Sequence, residues 1–355
     1  MKTDENLVLP PYSNRGVENT GRSGLRACVD WLQVTFKNVH SAQNIIDLLG
    51  LNFDDFVDFE TGKYGFSNHL RFGHISIYYS YKEDTLYHLE ITGQGCRELE
   101  QFGKYDWLTL LELILMLDIN ITRFDIAVDD FKGYFTFTKL INKIKKGHVR
   151  SRFRKARIME DIVLNDGSTA GTTIYFGSAK SDIQVRIYDK LGERISKGME
   201  IIDGVEVWNR TEIQMRDKRA LQAVYELVQN IHNIGQEVQG ILRNYVLFLD
   251  PKKNDTNKGR WDISKFWLNF LNGVEPLSLT QVAPDATIEK VNRWFENSVA
   301  ANFALLYEAF DNDQAKIMQW IELGKEKQKK KHENMLNRYR AEKKNVQGHE
   351  HSQID

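Results

Sequence analysis

Reactive side chains alternate with apolar ones in several strand-like segments of the sequence. Because alternate side chains of a β-strand share a face, each segment predicts one polar face and one core-facing side. The polar sets, segment by segment, are Arg123, Asp125 and Asp129; Arg186, Tyr188 and Lys190; Arg210, Glu212, Gln214 and Arg216; and His88 and Glu90. Strands that share one sheet would collect these carboxylates, guanidinium groups, lysine and tyrosine on a single surface.

Such a surface suits chemistry at a phosphodiester bond. Carboxylate oxygens are the ligands that Mg²⁺ and Mn²⁺ prefer, and a bound metal ion polarises and orients a phosphate. Arginine and lysine stabilise the negative charge that develops in the transition state. A tyrosine can attack phosphorus and form a covalent intermediate, which makes Tyr188 a candidate nucleophile.

The same patterns also fit less specific interpretations. An alternating charged strand is commonly just the solvent face of a sheet, and the pattern alone favours that interpretation. A strand tyrosine commonly packs with its hydroxyl in water. The basic run at residues 143–157 fits either a solvated surface or a DNA contact; its candidate DNA-binding residues are Lys146, Arg150, Arg152, Arg154 and Lys155. Gly93-Gln94-Gly95 fits a turn, because it lacks the full pattern of a phosphate-binding loop.

Composition bounds the protein class. The 355 residues are 41% hydrophobic, which is enough for a large core in one or two domains, and the net charge is −1. Two cysteines provide neither a disulfide framework nor zinc spacing. No signal-peptide pattern opens the sequence, and the most apolar helical stretch, 107–119, is too short to cross a bilayer. We therefore expect a soluble, cytoplasmic protein with no membrane partner.

The order of the elements predicts an α+β fold. Strand, helix and further strands recur along the first 250 residues, which indicates an antiparallel-rich sheet platform in two similar halves flanked by helices, although no sequence repeat proves the two halves. The predicted organisation is a flexible arm at 1–25, a catalytic domain at 26–250, a C-terminal helical region at 251–340 and a disordered tail at 341–355.

Three motifs occur together in an order that resembles the replication initiation factor family. They are TRFDIAVDD at 122–130, TIYFGSAKSDIQVRIYDK at 173–190 and WNRTEIQMRD at 208–217. This family includes the Rep proteins of staphylococcal rolling-circle plasmids and the relaxases of Gram-positive integrative conjugative elements. The stretch HLEITGQGCRELE at 88–100 is more similar to the relaxase branch, and the resemblance spans about 27–249.

The resemblance implies roles for individual residues. Tyr188 matches the family's nucleophile, and Arg186 and Lys190 match positions suited to phosphate contacts. The resemblance places the family's divalent-metal site on Asp125 and Glu212, with Glu90 and Asp129 as further candidate ligands. A second set of residues is expected to contact DNA: Arg123, Arg210 and the five residues of the basic run. No strand carries a pair of histidines, which favours a carboxylate-held Mg²⁺ or Mn²⁺.

The resulting functional prediction is site- and strand-specific nicking and religation of DNA at an origin, through a 5′-phosphotyrosyl intermediate on Tyr188. The expected partners are origin DNA, single-stranded at the nick, together with a host helicase and the replication machinery; a homodimer is left open. Two alternatives also stay open: a regulatory protein that binds an origin without cutting, and a metal-dependent nuclease that hydrolyses with water. Plasmid replication and conjugative transfer both stay open as the process that this nicking serves.

Overall fold

The computed structural model describes residues 24–80, 83–167, 169–199, 201–202, 204–229, 234–274, 288, 291–292, 295–328 and 332–340. The chain forms two compact units. The larger comprises residues 17–193 and 204–284, and the smaller comprises 1–16, 194–203 and 285–355. The predicted tail at 341–355 lies outside the described residues, as does the predicted arm except for Gly24 and Leu25.

The larger unit contains the strands and most of the helices. The strands are β1 Leu25–Phe36, β2 Val57–Phe59, β3 Asn68–Phe72, β4 Ile75–Ser80, β5 Glu83–Ile91, β6 Ile119–Asp130, β7 Val149–Ser151, β8 Ala156–Ile162, β9 Thr169–Phe176, β10 Ile183–Asp189, β11 Asn209–Arg216, β12 Val246–Asp250 and β13 Asp262–Ile263. The helices are α1 Ala42–Leu49, α2 Gly93–Phe102, α3 Trp107–Leu115, α4 Phe137–Lys145, α5 Lys190–Ser196, α6 Asp217–Gln229, α7 Ile234–Tyr245 and α8 Lys265–Val274; α5 continues into the smaller unit.

Ten strands form one antiparallel sheet in the order β2-β3-β4-β5-β1-β6-β11-β10-β9-β8. The order β2-β3-β4-β5-β1 on one side of the centre is repeated as β8-β9-β10-β11-β6 on the other. The two repeats meet at the antiparallel pair β1–β6, so a pseudo-two-fold axis passes through the middle of the sheet. This arrangement confirms the α+β fold with an antiparallel platform in two similar halves.

One face of this sheet carries the hydrophobic core, as the alternation in β6 predicts. Phe124, Ile126 and Val128 are buried in the core cluster, while the charged residues between them take the opposite face. Helix α6 packs against β6 on the core side, where it buries Ala220, Val224 and its other apolar residues. We call the other side of the sheet the polar face.

The packing of the larger unit continues beyond residue 250. A smaller sheet with the order β13-β12-β7 follows, and α8 packs against α7 and β1. Trp267 of α8 is fully buried, and its indole nitrogen donates to the carbonyl of Val246 at 3.1 Å. A domain boundary at residue 250 would cut through this packing, whereas the helices Ala300–Ala309 and Gln314–Glu326 lie in the smaller unit. None of the described helices is long and apolar enough to span a bilayer.

The Gly93-Gln94-Gly95 segment begins helix α2 and is not the turn that the sequence suggested. A Cβ added at Gly95 would lie 2.4 Å from the carbonyl oxygen of His74, so the glycine allows the helix to approach the β3–β4 hairpin closely. The backbone contact therefore explains why a residue that is unfavourable in helices stands here.

Gly95→Ala should destabilise the protein, because a backbone carbonyl cannot easily move away from the new methyl group. We expect a loss of about 1–3 kcal/mol in the free energy of unfolding, measured by chemical denaturation. Gly240→Ala is the matched control: Gly240 is also helical, in α7, and a Cβ there meets nothing within 4 Å. That variant should gain about 0.5–1 kcal/mol. Equal effects of the two substitutions would contradict the close approach.

Candidate functional site

The register of the strands brings the predicted reactive residues of the second half together. Residues directly opposite each other in antiparallel strands point to the same face. One row across the polar face therefore consists of Tyr188, Arg210, Asp129 and Arg26, from β10, β11, β6 and β1. In the next row, Arg186 pairs with Glu212. The expected grouping of Tyr188 with arginines and carboxylates is thus present in the fold.

The carboxylate of Asp129 is the centre of this group. It is fully buried, and it accepts hydrogen bonds from Arg210 Nε at 2.6 Å, Arg26 Nη2 at 2.7 Å and Trp208 Nε1 at 2.7 Å. Burial alone would raise the pKa of Asp129, but the two arginines hold it well below its usual range. Both of its oxygens are thereby engaged, which makes Asp129 an internal anion that positions two arginines.

Asp30 is a member of the site that the sequence pattern did not single out. The β1–β6 register shifts between Val29 and Trp31, so Asp30 sits at a β-bulge. Its Oδ1 accepts from Arg210 Nη1 at 2.6 Å, so Arg210 bridges two carboxylates. Bulges commonly redirect a side chain beside a functional site. The available signal was the break in alternation in the segment VDWLQ, where the apolar residues Trp31 and Leu32 occur in succession.

Tyr188 lies among cations but is largely shielded from solvent, with 7% of its surface exposed. The guanidinium of Arg186 and the ammonium of Lys190 lie 5.0 Å and 5.5 Å from the centre of its ring. Burial raises the pKa of Tyr188 well above its ordinary value, and the charge of Arg210 opposes that effect. The hydroxyl therefore carries its proton in this state, and the nearest acceptor is Glu212 Oε2, at a long 3.5 Å.

Two further carboxylates of the group are each paired with an arginine. Arg186 donates to Glu212, and Arg123 donates to Asp125 through Nε at 3.0 Å. Burial raises the pKa of Asp125, the hydrogen bond from Arg123 lowers it, and the charge of Glu212 raises it; these effects together give a pKa of about 7.

The oxygen donors of Asp125 and Glu212 suit a hard divalent cation, and such an ion would relieve the repulsion between the two carboxylates. Within the described part of the chain, no three histidine, cysteine or acidic side chains converge in a group ready to hold a metal. The metal assignment therefore stays a prediction.

Glu90 does not join the other three predicted metal ligands. Four inter-strand spacings of about 4.8 Å separate β5 from β10, which puts Glu90 roughly 19 Å from the Tyr188 strand. Its oxygens accept from Gln33, Tyr64 and Tyr78 in a second polar cluster. The sequence showed that Glu90 faces the polar side but could not show in which half of the sheet it lies.

The residues expected to contact DNA fall into two groups. The residues of the basic run are all exposed; they are Lys146, Arg150, Arg152, Arg154 and Lys155. In the chain they lie between α4 and β8, and β8 is the edge strand of the large sheet, two strands from β10. In contrast, Arg210 is buried in its ion pairs, and Arg123 stacks on Trp31 at 4.0 Å while it pairs with Asp125. The exposed group can reach a nucleic acid directly, whereas the other two arginines are structural parts of the polar face.

Comparison with known proteins gives consistent matches over most of the chain. Residues 119–321 match the family model described as replication initiation factor, and residues 26–115 match the one described as rolling circle replication initiation protein N-terminal domain. A Bacillus subtilis (strain 168) protein named "Putative DNA relaxase NicK" is 33% identical over 353 residues, covering 95% of this chain and 98% of that protein. A solved rolling circle replication initiator protein from Geobacillus stearothermophilus is 43% identical, with a TM-score of 0.68, covering 73% of this chain and 100% of that chain.

Asp129→Asn should be strongly destabilising, because it leaves Arg26 and Arg210 buried without a full counter-charge. Breaking one side of a buried ion pair costs about 3–5 kcal/mol. Asp118→Asn is the control, since Asp118 is exposed and lies 3.9 Å from Lys37; it should change the free energy of unfolding by less than about 1 kcal/mol. Urea denaturation of both variants measures the difference, and equal losses would show that Asp129 is not the centre of the cluster.

Asp125 should give the protein a characteristic pH dependence. Its pKa is higher in the folded than in the unfolded state, so the folded state binds more protons between about pH 4 and about pH 7. The contribution of Asp125 to stability therefore falls as the pH rises through that window. Asp125→Asn should flatten this part of the curve of unfolding free energy against pH, while Asp118→Asn should retain the wild-type slope. A wild-type slope in Asp125→Asn would refute the raised pKa.

Proposed function

Because the chain belongs to the replication initiation factor family, we propose that it nicks and rejoins one strand of DNA at an origin, with Tyr188 as the nucleophile. The observation that carries this proposal is the placement of the buried Tyr188 side chain between Arg186 and Lys190, whose charged groups lie 5.0 Å and 5.5 Å from its ring centre, and opposite Arg210 on β11. Three cations beside one tyrosine suit a phosphate group that gains negative charge as the hydroxyl oxygen attacks it.

The proposed step is an exchange of ester bonds. The Tyr188 oxygen bonds to phosphorus, the bond to the 3′ oxygen breaks, and the DNA end is held as a 5′-phosphotyrosyl ester. The phenol proton passes toward Glu212, whose carboxylate is the nearest acceptor, and the departing 3′ oxygen takes up a proton to become a hydroxyl. Attack by a 3′ hydroxyl on the phosphotyrosine reverses these changes and closes the strand. No net energy source is required, since one phosphate ester replaces another.

The surrounding residues of the chain keep this geometry. Asp129 and Asp30 hold Arg210 at two sides of its guanidinium, so the cation beside Tyr188 needs little reorganisation when charge develops. Asp125 and Glu212 are the carboxylates that we propose as holders of Mg²⁺ or Mn²⁺, which would supply Lewis-acid polarisation of the phosphate. Of the other two candidates, Asp129 is engaged by arginines and Glu90 lies in the other half of the sheet.

DNA is the proposed partner. The exposed basic residues between α4 and β8 offer a surface for the phosphate backbone next to the half of the sheet that carries Tyr188. We expect the host replication machinery to extend the free 3′ hydroxyl that nicking leaves, and a host helicase to unwind the strand. A homodimer is compatible with this scheme, and its presence would not alter the chemistry at Tyr188.

Tyr188→Phe should abolish both nicking and covalent attachment, because it removes the attacking oxygen and leaves the ring. The assay incubates supercoiled plasmid carrying the cognate origin with each protein, with and without Mn²⁺, and resolves nicked DNA and protein-linked DNA after denaturation. Tyr225→Phe is the control: Tyr225 is an exposed tyrosine on α6, behind the core face, and its loss should leave both products at wild-type levels.

The same assay separates the competing functions. Adduct formation by Tyr188→Phe would refute Tyr188 as the nucleophile. Nicked product without any adduct from the wild type would favour hydrolysis by water, and binding without nicking would favour a regulatory protein.

A further inference from the structure

The pseudo-two-fold axis relates Tyr188 and Glu212 to a second tyrosine and glutamate in the first half of the sheet. In the first half, Tyr78 of β4 lies opposite His88 of β5, two residues before Glu90, and its hydroxyl donates to Glu90 at 3.1 Å. Tyr188 of β10 stands in the same relation to Arg210 and Glu212 of β11, with a distance of 3.5 Å. The segments Ser76-Ile77-Tyr78 and Arg186-Ile187-Tyr188 are thus structural equivalents on the same polar face.

The two strand arginines beside Tyr188 have no arginine counterpart in the first half. Arg186 is matched by Ser76 and Arg210 by His88. The partner of that arginine in the central strand, Asp129, is matched by Thr35, which pairs with His88. The first half therefore keeps the tyrosine and the carboxylate but lacks the arginines that would receive a scissile phosphate. It cannot act as a second cutting centre by the same chemistry.

Aromatic rings lie around Tyr78, whereas arginines lie around Tyr188. The imidazole of His88 is only 5% exposed and lies 4.8 Å from the ring of Tyr64 and 6.2 Å from those of Phe66 and Tyr78. Its Nδ1 pairs with Thr35, while its Nε2 finds no hydrogen-bond partner among the described residues. A buried polar atom without a partner is uncommon in native proteins, which makes this aromatic cluster a candidate binding surface.

Tyr64 is the exposed member of this cluster and is held in place at both ends. Its φ of +58° is unfavourable for a residue with a Cβ, which costs about 1–3 kcal/mol unless the surroundings enforce it. Its hydroxyl donates to Glu90 and accepts from Gln33 at 2.9 Å. The residue nevertheless exposes 57% of its surface, and the ammonium of Lys63 next to it is largely in water, 3.4 Å from Glu90.

We propose that Tyr64 is a stacking subsite for a base of single-stranded DNA, with Lys63 available to the adjoining phosphate. A fixed, exposed ring on a sheet face beside an exposed cation is the combination that single-strand binding surfaces use. The subsite lies on the polar face that also carries Tyr188, in the half that does not cut, so it would hold the strand several nucleotides from the nick. The inference rests on the proposed action on DNA.

The competing explanation is that Tyr64 only fastens the β2–β3 loop through its hydroxyl. The two roles use different parts of the side chain, and two variants therefore distinguish them. Tyr64→Phe removes the hydrogen bonds to Glu90 and Gln33 but keeps the ring, whereas Tyr64→Ala removes both. A stacking subsite predicts that Phe retains DNA binding, while a loop fastener predicts that Phe and Ala lose it together.

The test measures binding of a fluorescent oligothymidylate of about 20 nucleotides, long enough to cross the sheet, at one fixed salt concentration. Tyr64→Ala should weaken binding by about 5- to 150-fold, the range expected when one stacking aromatic is removed, and Tyr64→Phe should stay within about threefold of wild type. Tyr225→Ala is the matched control, since Tyr225 is 53% exposed on the opposite side of the sheet, and it should bind as the wild type does. Thermal melting of each variant verifies folding, and crosslinking of an oligonucleotide with 5-iodouracil should map to Tyr64.

Three results would overturn the subsite: Tyr64→Ala binding as tightly as Tyr225→Ala, Tyr64→Phe losing as much affinity as Tyr64→Ala, or a crosslink that never reaches Tyr64. The plasmid adduct assay on the wild type keeps this outcome separate from the nicking proposal. If the wild type forms the adduct and Tyr64→Ala binds normally, only the subsite fails. If the wild type forms no adduct, the nicking proposal fails whatever Tyr64 does. An adduct in Tyr188→Phe that maps to Tyr64 would be a fourth such result, because it would show a nucleophile at this position and not a stacking ring.

Discussion

The buried carboxylate of Asp129 is the interaction on which the rest of the site depends. An anion removed from water is tolerated only where it is paired and hydrogen-bonded, and Asp129 obtains its partners from two neighbouring strands and the residue before one of them. Those bonds fix Arg210, and Asp30 completes its coordination from the bulge in β1. The position of the cation beside Tyr188 is thus set by packing in the middle of the sheet. The same ion pairs that stabilise the middle of the sheet therefore also position Arg210 for the site.

How much of this could be predicted depends on the range of the interaction. The two-residue period of a strand is local, so the sequence alone predicted that Arg123, Asp125 and Asp129 share a face, and the structure confirms it. Strand order is decided by contacts between distant segments. For that reason the sequence could not show that Glu90 belongs to a different half of the sheet from Glu212.

The burial of individual side chains and the irregular parts of the backbone also could not be predicted from the sequence. Arg210 had the same appearance in the sequence as the exposed arginines of the basic run, and only the surrounding carboxylates show that it is an internal group. Asp30 was overlooked because the register shift in β1 interrupts the alternation on which the reasoning depended. The glycines at the start of α2 were interpreted as a turn. Gly95 is needed there because the carbonyl of His74 lies close to it, and His74 belongs to a hairpin about twenty residues earlier in the chain, which the local pattern does not show.

The twist of the sheet has a consequence for the kind of DNA that can lie across it. Neighbouring strands are rotated by roughly 20–25°, and five steps separate β4 from β10, so the two tyrosine–glutamate pairs are turned on the order of 100–125° relative to each other. A DNA strand that touched both would have to wind through a similar angle within the width of a single protein molecule. Duplex DNA, with a persistence length of about 150 base pairs, resists such a curve, whereas an unpaired strand follows it at little cost. The twist of the sheet would then favour melted over paired DNA because the two differ in stiffness, without any side chain that distinguishes them by direct contact.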